Sequence, residues 1–422
     1  MDVLLSKVAG IDVHMDKLAV TMIIGDFDKE IKVEQFECLT FTEDLRRCAK
    51  QLLDNGIKHV AMESTGIYWK PIYNVFHAIG IIVTLGNATH MKNVPGRKTD
   101  MKDSEWIARL HRNGLIRPSY IPEEEFCELR QLTRHRSALV SDIGRIKNRV
   151  QKILEDGNIK LGVVLSDVFG VSGYAVVRAI ADGVTDAEKL SQLVTTNIKR
   201  KEDIKAALTN CLKERHCFLI SELVLQYMYL SELLNRVNGR IDKKMQGYSK
   251  EIEKLTEVPG ISKTTAENII AEATTKMEVF ADDRKFAAWA GVASGNNETG
   301  GKKKRAKTRK GNPALKKILI QAATGAVKKK NSYYRAKYNT LTFRLGSKNK
   351  AKVAIANRLA RAVYHIIKHP SIRYKDLGEV RVDTVEQQIK RSITKLKNLG
   401  VKVDYYQHKK FVDAKRDVLV TL

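Results

Sequence analysis

Residues 7–24, KVAGIDVHMDKLAVTMII, set the reading of the amino-terminal third. They form a β-rich run that ends at the Gly25-Asp26 turn and is followed by a second strand, IKVEQFECL. Thr42 precedes DLRRCAKQLLDN, a helix that Thr42 can N-cap and Gly56 can close. HVAMES is a short buried strand, KPIYNVFHAIG a helix closed by Gly80, and IIVTLGN another buried strand. Strands first paired and then alternating with helices give an α/β domain with a mixed sheet. Residues 100–115 read as a helix carrying Trp106, Ile107 and Leu110 on one side.

Outward from this domain the pattern changes. From Glu123 a long helix carries Leu129, Leu132, Arg136, Leu139, Ile143, Ile146, Val150 and Ile153 at steps of three and four. A second seam, Leu219, Leu223, Gln226, Leu230, Leu233 and Val237, follows a helical insert. Such a pair forms either an antiparallel hairpin inside one protomer or a coiled coil that joins two copies as a homodimer or homotetramer. The organisation expected is therefore an α/β domain over 1–120, helical coiled coil and insert over 121–250, a mostly helical domain over 251–375 and an extension over 376–422. In the extension, VEQQIKRSITKLKNLG reads as a helix and VKVDYY as a strand.

The 422 residues carry a formal charge of +27. That excess calls for a polyanion, because each cation placed on a phosphate releases counterions. No stretch reads as the ~20 apolar residues that span a bilayer, and the amino terminus lacks a charged segment ahead of its apolar run. The five cysteines make no CxxC pair and no zinc-type Cys/His cluster, which suits a reducing cytoplasm. Between Gly301 and Lys350 there are 17 Lys and Arg and no Asp or Glu. Within it Lys302, Lys303, Lys304, Arg305, Lys307, Arg309 and Lys310 form a tract for nucleic-acid contact, with Tyr333, Tyr334 and Tyr338 beyond it as a stacking surface. Pro259-Gly260-Ile261 sits between two helices. It reads either as a helix-hairpin-helix, whose backbone N–H groups, with Gly260 among them, hold a phosphate, or as an ordinary αα-hairpin that scaffolds a site.

Four carboxylates stand out. Asp12 lies in the first strand, Glu63 ends the HVAMES strand, and Asp100 and Asp103 are three apart on a helix, hence on one face. An all-oxygen set suits Mg2+ or Mn2+. Two such ions ~4 Å apart stabilise both oxygens of a phosphodiester displacement.

GIDVHMDKLAV, VAMESTGIYW and GRKTDMKDSEWIARL, with VPGISKTTAENIIAE and FAAWAGVASGNNETGGKKKRAKTRKGNPALKKILIQAA further on, resemble the DEDD-type insertion-sequence transposases. That group includes the pilin-gene invertases and the RNA-guided bridge recombinases. The resemblance implies an RNase-H, RuvC-like fold for the first domain, with Asp12, Glu63, Asp100 and Asp103 as the metal tetrad. It also implies a second catalytic domain with a serine nucleophile that links covalently to DNA, and a guide RNA encoded by the element itself. This sequence has Thr299 where the family has Ser. Thr carries the same hydroxyl, with a methyl that restricts χ1. Ser294 is the other hydroxyl nearby. Three functions follow as expectations: a transposase or recombinase working through Thr299, a RuvC-like nuclease or junction resolvase using water, and an inactive nucleic-acid-binding copy.

Overall fold

The computed structural model describes residues 5–26, 30–64, 66–86, 103–195, 203–295, 298–299, 301–303, 307–378, 392–396 and 398–400. The chain divides into two compact units, 1–122 and 123–422. Asp100, Lys304, Arg305 and the VKVDYY segment lie outside the described residues, and of the VEQQIKRSITKLKNLG helix only residues from 392 onward are described.

In the first unit, strands β1 (Lys7–Val13), β2 (Lys17–Ile24) and β3 (Lys32–Leu39) precede helix α1 (Thr42–Asp54). Strand β4 (His59–Glu63), helix α2 (Trp69–Ala78), strand β5 (Ile82–Gly86) and helix α3 (Asp103–Arg112) complete it. The sheet order is β3-β2-β1-β4-β5, with β1, β2 and β3 antiparallel and β4 and β5 parallel to β1. The β-rich run is thus two strands. It breaks at His14–Asp16, where the His14 amide donates to the Lys17 carbonyl at 3.0 Å, before the turn expected at Gly25. Apolar runs on both sides of the break hid it, because both strands are buried in the sheet interior.

Two layers cover the sheet. Ala9, Ile11, Val13, Val60 and Met62 face α1 and α2 through Leu45, Leu52, Ile72 and Phe76. On the opposite face Val8 and Ile23 meet Ala108 of α3, and Ala61 meets Ile107 and Leu110. This is the mixed-sheet α/β architecture expected. Thr42 is not the cap of α1: Phe41 holds that place, without a side-chain hydrogen bond.

The second unit is built on two long helices, α4 (Glu124–Asp156) and, beyond the insert, a partner of similar length. The insert holds α5 (Leu161–Val164), α6 (Val171–Ala181), α7 (Ala187–Gln192) and α8 (Ile204–Leu208), followed by α9 (Glu214–Met245). The long pair is antiparallel within the chain. His216 lies 2.9 Å from Asp156 at one end, and Arg240 donates to Glu128 at 3.1 Å near the other. The first seam packs as expected, with Leu129, Leu139, Ile146 and Val150 buried. The second is misaligned over its first half. Leu219 is 46% exposed and Gln226 is exposed, while Ile220 and Val224 are buried beside Leu223. α9 also packs on α6 of the insert, so its buried face is set by two neighbours and not by one seam.

Among the described residues one helical stretch, within Glu214–Thr256, is long and apolar enough to cross a membrane, contrary to the reading of composition. Part of that apolar surface is the face packed on α4 and α6. The rest is an exposed stripe that includes Phe218, Leu225 and Tyr229.

At the other end of the long pair lie α10 (Ser249–Thr256), α11 (Lys263–Ala273), α12 (Asp283–Trp289), the two-residue strands β6 (Glu298–Thr299) and β7 (Lys302–Lys303), and α13 (Pro313–Ala326), α14 (Tyr333–Leu345) and α15 (Lys348–Lys368). Their core, with Phe286, Leu319, Ile355 and Leu359 fully buried, also takes in Phe126, Leu129, Ile241 and Met245 of the long pair. A separate core at the insert end gathers Val150, Leu154, Val176, Val177, Leu190 and Ile220.

Candidate active site

Sheet register brings two of the four carboxylates to one place. Ile11 of β1 stands opposite Met62 of β4, so the next pair along these parallel strands is Asp12 and Glu63. Side chains alternate along a strand. Asp12 therefore shares a face with Val8 and Gly10, and Glu63 with Ala61, which is the face covered by α3.

Helix α3 supplies the third. It runs against β1: the Leu5 amide donates to the Arg112 carbonyl at 3.3 Å, and the Arg112 guanidinium donates to the Gly25 carbonyl at 2.7 Å. Its other end, where Asp103 opens the helix, thus points toward the carboxyl ends of β1 and β4. The approach is close because residue 10 is glycine. A Cβ there would lie 2.2 Å from both the Ala108 nitrogen and the Ser104 carbonyl oxygen. The buried Thr21 and Ser104 hydroxyls, 2.8 Å apart, fix the helix from β2.

Asp12, Glu63 and Asp103 thus lie on one face and at one end of the sheet. Asp12 is 3.2 Å from the imidazole of His14, an ion pair when that ring is protonated. Among the described residues no three His, Cys, Asp or Glu side chains are close enough to hold a metal ion, and the fourth predicted ligand, Asp100, lies outside them. On α3, burial foremost, with His59 adding to it, pulls the His111 imidazole down to about 4.

In the second unit, Thr299 pairs with Lys302, and Gly301, just before Lys302, has φ 72°. Thr299 is therefore the last strand residue before the tip of a hairpin. The hairpin's base is regular: Gly295 donates to the Lys307 carbonyl at 2.9 Å, Arg309 to the Ala293 carbonyl at 3.0 Å, and Ser294 bridges Thr308. Ser294 and Thr299 are consequently at opposite ends of the hairpin.

Ser294 and Thr308 line a cleft of about 1250 Å³. Arg284, Lys307, Arg344, Lys350, Arg358 and Arg361 line it too, and among the described residues no acid does. On neighbouring α14, burial first and then the Arg358 and Arg344 charges hold the Lys337 ammonium below its ordinary range. Cations crowded this way favour bound anions. Lys307 and Lys350 fall in the acid-free tract, whereas Arg284, Arg358 and Arg361 come from helices outside it. Their convergence was not legible without the fold.

Of the predicted tract, Lys307, Arg309 and Lys310 are exposed, and Lys302 and Lys303 form β7. Tyr334 is no stacking platform: it is 3% exposed and stacks on Tyr374 in the core, while the Tyr333 hydroxyl accepts from Arg358 at 2.8 Å. At the Pro259-Gly260-Ile261 turn, Gly260 has φ 85°, and a Cβ would meet the Ala322 carbonyl of α13 at 2.1 Å. The turn therefore scaffolds α13, with Ser262 capping α11.

Comparison with known proteins agrees with both units. A transposase family model, DEDD Tnp IS110, matches residues 9–159, and the model "Transposase IS116/IS110/IS902 family" matches residues 252–339. The chain is 28% identical over 156 residues to the transposase for insertion sequence element IS1533 of Leptospira borgpetersenii, a match covering 36% of this chain and 44% of that relative. It is 24% identical over 314 residues to a "Probable family 20 transposase" of Pseudomonas aeruginosa, covering 73% and 83%. Among solved structures, Thermus thermophilus RuvC matches 27% of this chain and 99% of its own at 14% identity and a TM-score of 0.21. The same RuvC in complex with a Holliday junction substrate matches at 13% and 0.21. The first model runs from the first unit into α4 and the second lies in the second unit, so the chain matches IS110-type transposases at both places, in chain order.

Proposed function

We propose that the protein is a DNA transposase or site-specific recombinase that cuts and rejoins phosphodiesters through a covalent Thr299–DNA link. The observation that carries this reading is Thr299 next to the tip of a short hairpin whose base opens on a cleft lined, among the described residues, by six cations and no acid. The Thr299 hydroxyl oxygen forms the new bond to phosphorus, its proton passes to a base, and a sugar oxygen leaves with the electrons of the broken bond. Attack by a second sugar oxygen reverses the step and frees Thr299. The cationic cleft, at the other end of the hairpin, holds phosphates farther along the same DNA.

Asp12, Glu63 and Asp103, with Asp100, are assigned as ligands for Mg2+ or Mn2+. The fit rests on Asp12, Glu63 and Asp103, three oxygen donors on one face and at one end of the sheet, which suit hard cations. When bound, such ions stabilise charge on phosphate oxygens. A guide RNA encoded by the element belongs to the same proposal. A protein that binds through charge leaves sequence choice to base pairing, and +27 suffices for two polymers. The exposed apolar stripe on α9 supports association as a homodimer or homotetramer. Action on DNA places the protein in the cytoplasm with the nucleoid.

The test is strand exchange on the element's ends, with trapping of a protein–DNA adduct on denaturing gels. Thr299→Ala abolishes both, Thr299→Ser retains both, and Ser294→Ala retains both. Full activity of Thr299→Ala overturns the assignment. Cleavage without any adduct points to a RuvC-like nuclease or resolvase acting with water.

A further inference from the structure

The hairpin that carries Thr299 has only a short sheet of its own, yet a nucleophile must be held within a fraction of an ångström to attack in line. Both strands leave the helical body at one point. Gly291 precedes the first strand, and Gly311 and Asn312 follow the second. The two glycines touch: a Cβ on Gly311 would lie 2.5 Å from the Gly291 nitrogen and 2.4 Å from the Trp289 carbonyl oxygen. The Asn312 amide donates to that same Trp289 carbonyl at 2.8 Å, which ties the exit of the hairpin to its entrance.

Asn312 does two further things. Its Oδ1 accepts from the Ala314 and Leu315 amides at 3.0 and 3.1 Å and caps α13. Its Nδ2 donates to the Glu272 carboxylate at 2.7 Å. Glu272, near the end of α11, is 1% exposed. A carboxylate so buried needs partners. It has them in Arg134 of α4, whose Nε and Nη2 donate at 2.6 and 2.9 Å. Arg130, one turn earlier, donates to the Ala271 carbonyl at 3.1 Å and also to the Glu272 carbonyl.

We infer that Glu272 is a positioning residue: locked to α4 by Arg134, it holds Asn312 and thereby fixes the base of the Thr299 hairpin. The inference rests on the assignment of Thr299 as the reacting group. A cap for α13 alone requires only the Oδ1 of Asn312, and Asp or Ser supplies that equally well. The Nδ2–Glu272 bond adds nothing to capping. It joins the hairpin base to the long helix pair. It also gives a role to one of the two glutamates buried in this domain, the other being Glu267, which pairs with Arg136.

Reversing the polarity of this bond tests it. Asn312→Asp keeps the cap and sets two carboxylates against each other. Adding Glu272→Gln restores a donor on one side and an acceptor on the other. Amide exchange in the full-length protein reads the hairpin directly, at the Gly295 and Arg309 amides that close its stem, with α15 amides as the control. Asn312→Asp raises exchange at Gly295 and Arg309 at least tenfold and leaves α15 within twofold. It slows strand exchange on the element's ends at least tenfold and shifts the DNA dissociation constant by less than threefold. The double variant Asn312→Asp/Glu272→Gln returns both readouts to within threefold of the parent. Unchanged stem exchange in Asn312→Asp, an equal rise in α15, or no recovery in the double variant overturns the inference. Failure of the Thr299 assignment shows elsewhere, in the activity of Thr299→Ala, and leaves the exchange readout intact.

Discussion

A single missing carbon at residue 10 does more for the carboxylate site than any of the carboxylates. Gly10 lets α3 lie directly on β1, and that contact carries Asp103 to the end of the sheet where Asp12 and Glu63 already stand. The same helix bears a titratable liability. His111 is 7% exposed and is held neutral, with its pKa lowered to about 4 by burial first and His59 second. A folded-state value below the unfolded one of 6.5 means that the unfolded chain binds the extra proton. Stability from this group is complete above pH 6.5 and falls as pH drops toward 4. The expected loss is about 2 kcal/mol between pH 7 and pH 5. Urea unfolding of the full chain, followed by exchange of the β1 amides, checks it. His111→Leu flattens the pH dependence in that window, and a parent protein equally stable at pH 5 and 7 contradicts the assignment.

Elements were legible in the sequence in proportion to how local their causes are. The strands and helices of the first unit follow from apolar runs and turn residues, and so does the helix at Glu124–Asp156. The break at His14–Asp16 was missed because both strands beside it are buried, so only His14 and Asp16 mark the turn with polar side chains. The second seam was misplaced because α9 answers to α4 and to the insert together. Its outer face is the sharper surprise, with Phe218, Leu225 and Tyr229 63%, 58% and 63% exposed at spacings of seven and four. Such a stripe stays in water only at a cost of about 25 cal/mol per Å². It fits a second copy of the same helix. Leu225→Glu with Tyr229→Glu is expected to reduce the mass measured by light scattering while leaving helix content unchanged, since neither side chain enters a core. An unaltered mass assigns the stripe some other occupant. Asp12 and Glu63 were singled out by the motifs around them, and the sheet adds what the motifs lack, that they are neighbours. Glu272 and Asn312 carried no sequence signal, since one lies in a helix and the other reads as an ordinary cap.

For the whole molecule, the charge of +27 is distributed unevenly, and much of it gathers around the Thr299 hairpin and the cleft at its base. DNA affinity should therefore fall linearly with salt on logarithmic axes, and each cation removed from the phosphate path should lower that slope by about 1. Lys307→Ala, Arg344→Ala and Arg358→Ala, measured across a salt series, are expected to lower it one step each with little change in sequence preference. Slopes that match the parent's would place the DNA elsewhere. The long helix pair separates this region from the insert. At 1.5 Å per residue, the 33 residues of α4 reach about 50 Å. The insert end has its own core and shares no buried residue with the helices around the hairpin. At Gly183 the chain turns with φ 87° and open space around the Cα. That turn is a splice point: a fluorescent reporter or a foreign DNA-binding module grafted there would ride on a semi-rigid arm, outside both cores and away from the Thr299 hairpin.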